Sequence, residues 1–225
     1  MNPKMLQAVF TWQTRKVLIR DRVFYFPDYH DESEFLFPGW QSPELFGNDR
    51  QVKVEYCSGN GSWIAEKALL HPECNWVAVE RQYKRVRKIW SKIKNLKLSN
   101  LIVVCGEGCA FTKKYIPTAS LQEVFVNFPD PWPKARHAKH RIISPAFAEE
   151  MLRVVHAGGT ITTVTDDPDY SSIMVQVFQA VSGFKSLNTP THYTVELPGY
   201  GSSYFDSLWR EKGREIRFHQ FERVA

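Results

Sequence analysis

Cysteine is scarce in this chain: four residues among 225, at positions 57, 74, 105 and 109. So few cannot lace a disulfide scaffold, and no CxxC pair is present to seed a zinc site, so no metal is expected. Cys105 and Cys109 form an isolated CxxxC with no third cysteine near enough to complete an iron–sulfur motif. Sparse cysteine suits a reducing cytoplasm. Long apolar runs are missing as well. No stretch approaches the ~18–20 residues a bilayer span requires, which argues against a membrane partner. The opening MNPKMLQAVFTWQTRK has no apolar run ahead of a small-residue cleavage site, so no signal peptide is expected. Repeats and low-complexity tracts are also lacking. What is present is ordinary globular usage, 43% hydrophobic and 24% charged, which excludes wholesale disorder. The length suits one α/β domain with short extensions.

The net charge of +5 is modest, but its distribution is uneven. Eight basic residues and no acid lie between Arg81 and Lys97, and six of the eight residues from Lys134 to Arg141 are Lys, Arg or His. Such clusters draw polyanions, nucleic acid above all, although a solvated basic helix face explains either cluster alone equally well. The second cluster adjoins a Pro- and Trp-rich segment that cannot be a long helix. The high aromatic content, 14%, supports base stacking only weakly because most aromatics are core.

Residues 1–50 read as an irregular, aromatic- and proline-rich extension, and residues 51–225 as the main domain. QVKVEYC (51–57), NWVAVE (75–80), LIVVCG (101–106), EVFVNF (123–128) and GTITTVTD (159–166) are β-branched and apolar, which predicts buried strands. Helical patterns separate them. In 81–97, Tyr83, Val86, Trp90 and Ile93 recur at helical spacing; 144–156 runs from Ser144-Pro145 to a Gly158-Gly159 stop. Alternating strands and helices predict an α/β, doubly wound, mostly parallel sheet. THYTVEL (191–197) and REIRFHQFE (214–222) predict an antiparallel terminal strand pair, with a loop over 198–213.

The ends of these strands carry the chemistry. In VEYCSGNGS (54–62), Gly59 and Gly61 let the backbone turn tightly at a helix start, where amides approach a ligand; Cys57 stands where a first glycine is expected. Glu80 ends the second strand, 19 residues after Gly61, where an acid accepts hydrogen bonds from ribose hydroxyls or simply caps the next helix. Strand, GxG, helix and strand-end acid fit a dinucleotide or S-adenosylmethionine. Glu107, in the CGEG that ends the third strand, is placed to hold an adenine amino group or to stand solvated in a loop. After the fourth strand comes NFPDPWPKARHAKHR (127–141), whose three prolines in five residues fix a stiff, extended loop. Asp130 and Trp132 are thereby held at the sheet edge, followed by a run suited to phosphates. Burying Asp130 without partners would be costly, so it is not read as core. The fifth strand ends in TDD (165–167), which puts Asp166 at the same kind of edge.

The set VEYCSGNG, AVE at 78–80, GEG, FPDPWPKARHAKHR, AGG with TDDPDY, and a late SYFDSLWREKG resembles the bacterial tRNA (guanine-N7-)-methyltransferases. The resemblance runs from about residue 51 to the last residues, and FPDPW followed by K-x-R-H-x-K-x-R is its most specific part. It implies a seven-stranded class I methyltransferase fold and methylation of N7 of guanosine 46 in the tRNA variable loop, with S-adenosyl-L-methionine as cofactor. Carried over residue by residue, Glu55, Gly59, Gly61, Glu80, Glu107 and Asp130 are similar to the cofactor contacts, and Asp130 to the catalytic residue. Lys134, Asp166 and Ser203-Tyr204-Phe205-Asp206 resemble substrate-binding positions, the last in place of a T-x-[FY]-E pattern. Arg136, Lys139 and Arg141 are expected at tRNA phosphates. Cys57 departs from the family's first glycine, and Glu107-Gly108 from its usual Asp-Ala. Monomer and homodimer stay open.

Three rival readings are weaker. Methyltransferases of exocyclic amines carry an Asn/Asp-Pro-Pro-aromatic loop, whereas here Phe128-Pro129-Asp130 follows Asn127. A nicotinamide-dependent dehydrogenase needs a full GxGxxG and has no place for FPDPW. A non-catalytic RNA-binding protein on the same scaffold is prompted by Cys57 but leaves the retained acids unexplained.

Overall fold

The computed structural model describes residues 1–7, 16–27 and 35–224. Residues 8–15 and 28–34 of the expected extension lie outside the described residues. The chain divides into two units, Met1–Tyr115 and Ile116–Ala225.

In the first unit the sheet order is β1 (Leu18–Arg20), β2 (Val23–Tyr25), β5 (Leu101–Cys105), β4 (Asn75–Glu80), β3 (Val52–Tyr56). All neighbours are parallel except the β1–β2 hairpin. β4 and β5 are buried along their whole length, which is why they read as continuous apolar runs rather than alternating ones. The helices α1 (Ser62–Leu70), α2 (Tyr83–Asn95) and α3 (Gly108–Tyr115) follow β3, β4 and β5 in turn. α2 buries Val86, Ile89, Trp90 and Ile93, and its lysines and arginines lie off that stripe, half-buried or exposed. Each such buried side chain contributes about 1.5–3 kcal/mol relative to leaving it in water.

The hairpin lies inside the segment expected to be irregular. Its two-residue turn, Asp21-Arg22, has φ of 52° and 68°, the left-handed values a tight hairpin needs, here without glycine. The side chains repay that strain locally. Asp21 accepts from Trp90 Nε1 (3.0 Å) and pairs with Lys94, and Arg22 donates to the Leu45 carbonyl (2.6 Å). Phe24 and Phe26 then meet Phe111 and Tyr115, so many N-terminal aromatics are core. Residues 1–6 rest along one stripe of α2: Tyr83, Arg87 and Ser91 donate to the carbonyls of Leu6, Pro3 and Met1. Part of the basic helix thus holds its own chain.

In the second unit the order is β6 (Leu121–Asn127), β7 (Val155–Thr165), β9 (Arg217–Arg223), β8 (Phe184–Ser186). β6 and β7 are parallel; β9 runs antiparallel to both of its neighbours. α4 (Pro145–Val154) starts at Ser144, whose hydroxyl accepts from the Phe147 N–H, with proline in the first turn. α5 (Pro168–Gln179) starts in the same way at Asp167. The strands therefore number nine among the described residues where seven were expected; the hairpin adds two.

Most boundaries shift by a few residues, β9 starting at Arg217 rather than at 214, and three expectations change in kind. α4 ends at Val154, and Gly158-Gly159 lies inside β7 beside a register irregularity opposite 121–123. A Cβ on Gly159 would stand 2.7 Å from the Gln122 carbonyl oxygen, so glycine there serves close strand approach rather than a helix stop. The terminal partner of β9 is Phe184–Ser186; the expected strand 191–197 supplies only an isolated bridge, Thr194 to Phe218. The expected loop 198–213 contains α6 (Tyr204–Glu211).

Candidate active site

At the end of β3 the chain turns through Cys57, Gly59 and Gly61, all at positive φ (61°, 56° and 70°). The turn is closed by Gly61 N–H on the Ser58 carbonyl (2.8 Å) and by Ser58 Oγ on the Glu55 carbonyl (2.9 Å). A Cβ on Gly61 would stand 2.6 Å from Ile89 Cγ1, so only glycine lets α1 start this close to α2. Cys57 adopts a left-handed backbone that glycine prefers. Lys92 donates to the Asn60 carbonyl (3.1 Å), a support the sequence did not suggest; burial, then Lys88, lowers its pKa.

Glu80 ends β4 with only 5% of its surface exposed. Its Oε2 accepts the Gly59 N–H (2.9 Å) and its Oε1 the Gln82 N–H (2.8 Å). Burial raises its pKa, and the N–H of Gln82, Arg85 and the N–H of Gly59 work in the opposite direction. One carboxylate thereby ties the glycine loop to the start of α2. A carboxylate has about four acceptor positions, so it retains room for a vicinal diol. Glu107, after β5, accepts the N–H groups of Cys109 (3.0 Å) and Ala110 (2.7 Å) and so caps α3. Glu55 is buried in β3. Glu55, Gly59, Gly61, Glu80 and Glu107 thus all stand at or beside the C-terminal ends of three adjacent parallel strands, where ligands of such sheets bind.

The second unit has its own set of strand ends. Asn127, the last residue of β6, is buried, and its Oδ1 accepts from Tyr200 Oη (3.0 Å). Next comes Phe128-Pro129-Asp130-Pro131-Trp132, with Phe128 at φ 47° and Trp132 at φ 42°. Such left-handed non-glycine residues hold about 1–3 kcal/mol of strain each. Arg141 fixes the loop by donating to the carbonyls of Pro131 (2.8 Å) and Trp132 (3.0 Å). Phe128 packs on Phe205 of α6 (6.0 Å between ring centres), and Trp132 lies against His140 (5.2 Å) and His137 (5.7 Å). Asp130 is exposed between these fixed points, and no hydrogen bond or ion pair to it is found among the described residues. Lys134, Arg136 and Lys139 are exposed at the short 3-10 helix Ala135–His140.

Asp166 follows β7 and pairs with Arg214, a partner the sequence did not suggest. Ser203 is the N-cap of α6, its Oγ accepting from the Asp206 N–H (3.1 Å). Asp206 is buried, pairs with Arg210 (3.0 Å) and accepts from Ser202 Oγ (3.2 Å). The S-x-x-D pattern therefore begins a helix, and Tyr204 is its exposed member. Lys134, Asp166 and 203–206 all belong to this unit.

A family profile described as "Putative methyltransferase" matches residues 49–218. A Chlamydia trachomatis serovar D protein named tRNA (guanine-N(7)-)-methyltransferase is 44% identical over 224 residues, covering 98% of this chain and 97% of its own. A Rubrobacter xylanophilus protein of the same name is 33% identical over 198 residues, covering 87% and 85%. Among solved structures, the 16S rRNA methyltransferase KamB superposes with a TM-score of 0.59 at 17% identity over 82% of this chain and 94% of its own. The antibiotic-resistance methyltransferase Kmr gives 0.52 at 18% identity over 78% and 87%. At that identity the two structures speak for the fold alone, which is that of the class I methyltransferases.

Proposed function

Because this chain belongs to the bacterial tRNA (guanine-N7-)-methyltransferase family, we propose that it methylates N7 of a guanine in tRNA, with S-adenosylmethionine as donor and guanosine 46 of the variable loop as target. The carrying observation is the 44% identity over 224 residues, which covers 98% of the chain. In this proposal residues 51–225 carry the transferase, residues 1–50 are its extension, and it works on tRNA in the cytoplasm.

The first unit fits an adenosine-containing ligand. The Glu80 carboxylate, oriented by Gly59 and Gln82 N–H groups, accepts the two ribose hydroxyls, and Glu107, oriented by its own helix, accepts the adenine amino group. Glu55 and the Gly59–Gly61 backbone line the methionine side. The bound donor supplies an electrophilic methyl group on a sulfonium.

Guanine N7 carries a lone pair at neutral pH, so no residue has to remove a proton first. The protein aligns the reactants, an effect worth up to about 7–11 kcal/mol. It also stabilises charge. The purine becomes cationic as the N7–carbon bond forms, and Asp130, a carboxylate held by prolines with no partner among the described residues, stabilises that charge as it develops. Asp166 accepts from the N1–H and N2–H edge of the base. Ser203, Tyr204, Phe205 and Asp206 frame the base, with Tyr204 the exposed ring. Lys134, Arg136 and Lys139 hold phosphates; Arg141 adds charge while stapling the loop.

Transfer of labelled methyl from S-adenosylmethionine to unmodified tRNA, followed by nucleoside analysis, tests the proposal. Label in 7-methylguanosine, lost when the variable-loop guanosine is replaced, is the expected result. Label in another nucleoside overturns the target, and absence of label overturns the transferase.

A further inference from the structure

Arg214 opens the expected strand 214–222 and belongs to no functional motif of the sequence; β9 starts only at Arg217, and Arg214 has a defined seat before it. α6 ends in a glycine cap: the Gly213 N–H donates to the Arg210 carbonyl (2.9 Å) and the Arg214 N–H to the Trp209 carbonyl (2.9 Å), with Gly213 at φ 73°. This pair of bonds folds Arg214 back over the last turn of its own helix. Its guanidinium centre lies 4.2 Å from the centre of the Trp209 ring, and the Lys212 ammonium lies 4.6 Å from the same ring. The position usually filled by an apolar contact across such a cap is filled here by a cation on an indole.

From that seat Arg214 Nη1 donates to Oδ2 of Asp166. Register makes the reach possible, since Arg217 pairs with Thr165 across β9 and β7, only one residue before Asp166. The Asp166 side chain is 13% exposed and that of Arg214 50%. No hydrogen bond to Oδ1 of Asp166 is found among the described residues. A planar guanidinium can stack and pair at once, which an ammonium cannot.

We infer that Arg214, seated on Trp209, is a positioning residue for the target base: it fixes Oδ2 of Asp166 and so presents Oδ1 to the hydrogen-bond donors on the guanine edge. The inference rests on the transferase proposed above and on the role given there to Asp166. It assigns Arg214 a part in orienting an acceptor rather than in holding a phosphate.

The test is a double-mutant cycle on the full chain. Methyl transfer to unmodified tRNA is measured for wild type, Arg214→Ala, Arg214→Lys, Asp166→Asn and the Arg214→Ala/Asp166→Asn pair, together with tRNA Kd over a range of salt. Arg214→Ala is expected to lower kcat/KM by roughly 10–100-fold through misplacement of the acceptor. Arg214→Lys restores part of the loss. In the Asp166→Asn background Arg214→Ala has no further effect, and the salt slope of tRNA binding stays that of wild type. An undiminished effect in that background, or a shallower salt slope, makes Arg214 a phosphate contact and overturns the inference, as does an Arg214→Ala enzyme with wild-type kcat/KM. If the alanine variant fails to fold, Arg214→Gln completes the same cycle. A wild-type chain without methyl transfer to tRNA refutes the transferase itself and this inference with it; active wild type with an indifferent Arg214 overturns the inference alone.

Discussion

In the first unit the carboxylates of Glu80 and Glu107 each accept two backbone N–H groups, whereas in the second Asp130 stands exposed with no partner among the described residues. The difference follows the chemistry proposed for each. A carboxylate gripped by N–H donors has a fixed orientation and a partly satisfied charge, which suits a neutral diol or amino group. A carboxylate gripped only through its backbone, by Pro129, Pro131 and the Arg141 staple, keeps its full charge for a cation that exists only as methyl transfer proceeds. One set is oriented by what it binds inside the protein, the other by the stiffness of the chain that carries it.

Removing the unpartnered acid is the most direct way to break this comparison. Asp130→Asn is expected to lower turnover by about 10²–10³-fold while leaving tRNA Kd within a small factor of wild type. Methyl-transfer rates beside filter binding would show it. Turnover close to wild type would mean that Asp130 is solvated loop and that the contrast between the units has no catalytic content.

The buried titratable groups contrast as well. Burial raises the pKa of Glu80 in the first unit, while in the second burial lowers that of His219 to about 4, with Arg217 and His192 adding to the shift and a hydrogen bond to the His192 carbonyl opposing it. His219 thus folds as the neutral ring. Its contribution to stability is complete above an unfolded-state pKa of 6.5 and is lost as pH falls toward 4. Denaturant melts of wild type and His219→Asn should converge by about 3 kcal/mol between pH 7 and pH 4. A constant gap across that range would mean that the ring charges without penalty.

The gripped acids predict stability effects that Asp130 lacks. Glu80→Ala removes the acceptor for two N–H groups and should lower stability by about 2 kcal/mol, a fall of ~4–8 °C in Tm. Glu107→Ala removes a helix cap and should lower it by about 1 kcal/mol. Asp130→Asn should leave Tm unchanged. Calorimetry on the three variants ranks them, and an Asp130→Asn that melts as low as Glu80→Ala would erase the distinction.

Much of this architecture is legible in the residues, because fully buried parallel strands write long apolar runs and helix starts write Ser-Pro or Asp-Pro. β3 to β7 follow from the first signal and α4 from the second, while α2 follows from its apolar spacing. The β1–β2 hairpin does not, since its turn is Asp-Arg and not Asn-Gly, and its left-handed geometry is stabilised by Trp90 and Leu45, far along the chain. α6 stands where a loop is expected, because its capping pattern, Ser203 to Asp206, coincides with the expected substrate motif and carries no long apolar period. Glu80 reads as a ligand acid or a helix cap, and Glu107 as a ligand acid or a solvated loop acid; their bonds show that both cap a helix, whatever else they do. The contacts of Arg214 and Tyr200 leave no signal, because their partners Asp166 and Asn127 are 48 and 73 residues away. Contacts made across a sheet by side chains of unremarkable type leave no period to read.

The smallest expected effect bears on the turn that begins the first unit's site. Cys57 stands at φ 61°, where a side chain costs about 1–2 kcal/mol and glycine costs nothing. Cys57→Gly relieves that strain but gives the unfolded chain more freedom, which takes back about 0.5–1 kcal/mol. The balance is a gain of a few tenths to about 1 kcal/mol, one to a few degrees in Tm. The same change removes the thiol from the loop that leads to Gly59, so the affinity for S-adenosylmethionine should rise or hold. Calorimetry and titration of the two proteins with the donor measure both quantities. A Tm that falls would show that Cys57 contributes packing worth more than the strain it holds, and weaker donor binding would make that thiol part of the site rather than a tolerated substitute for glycine.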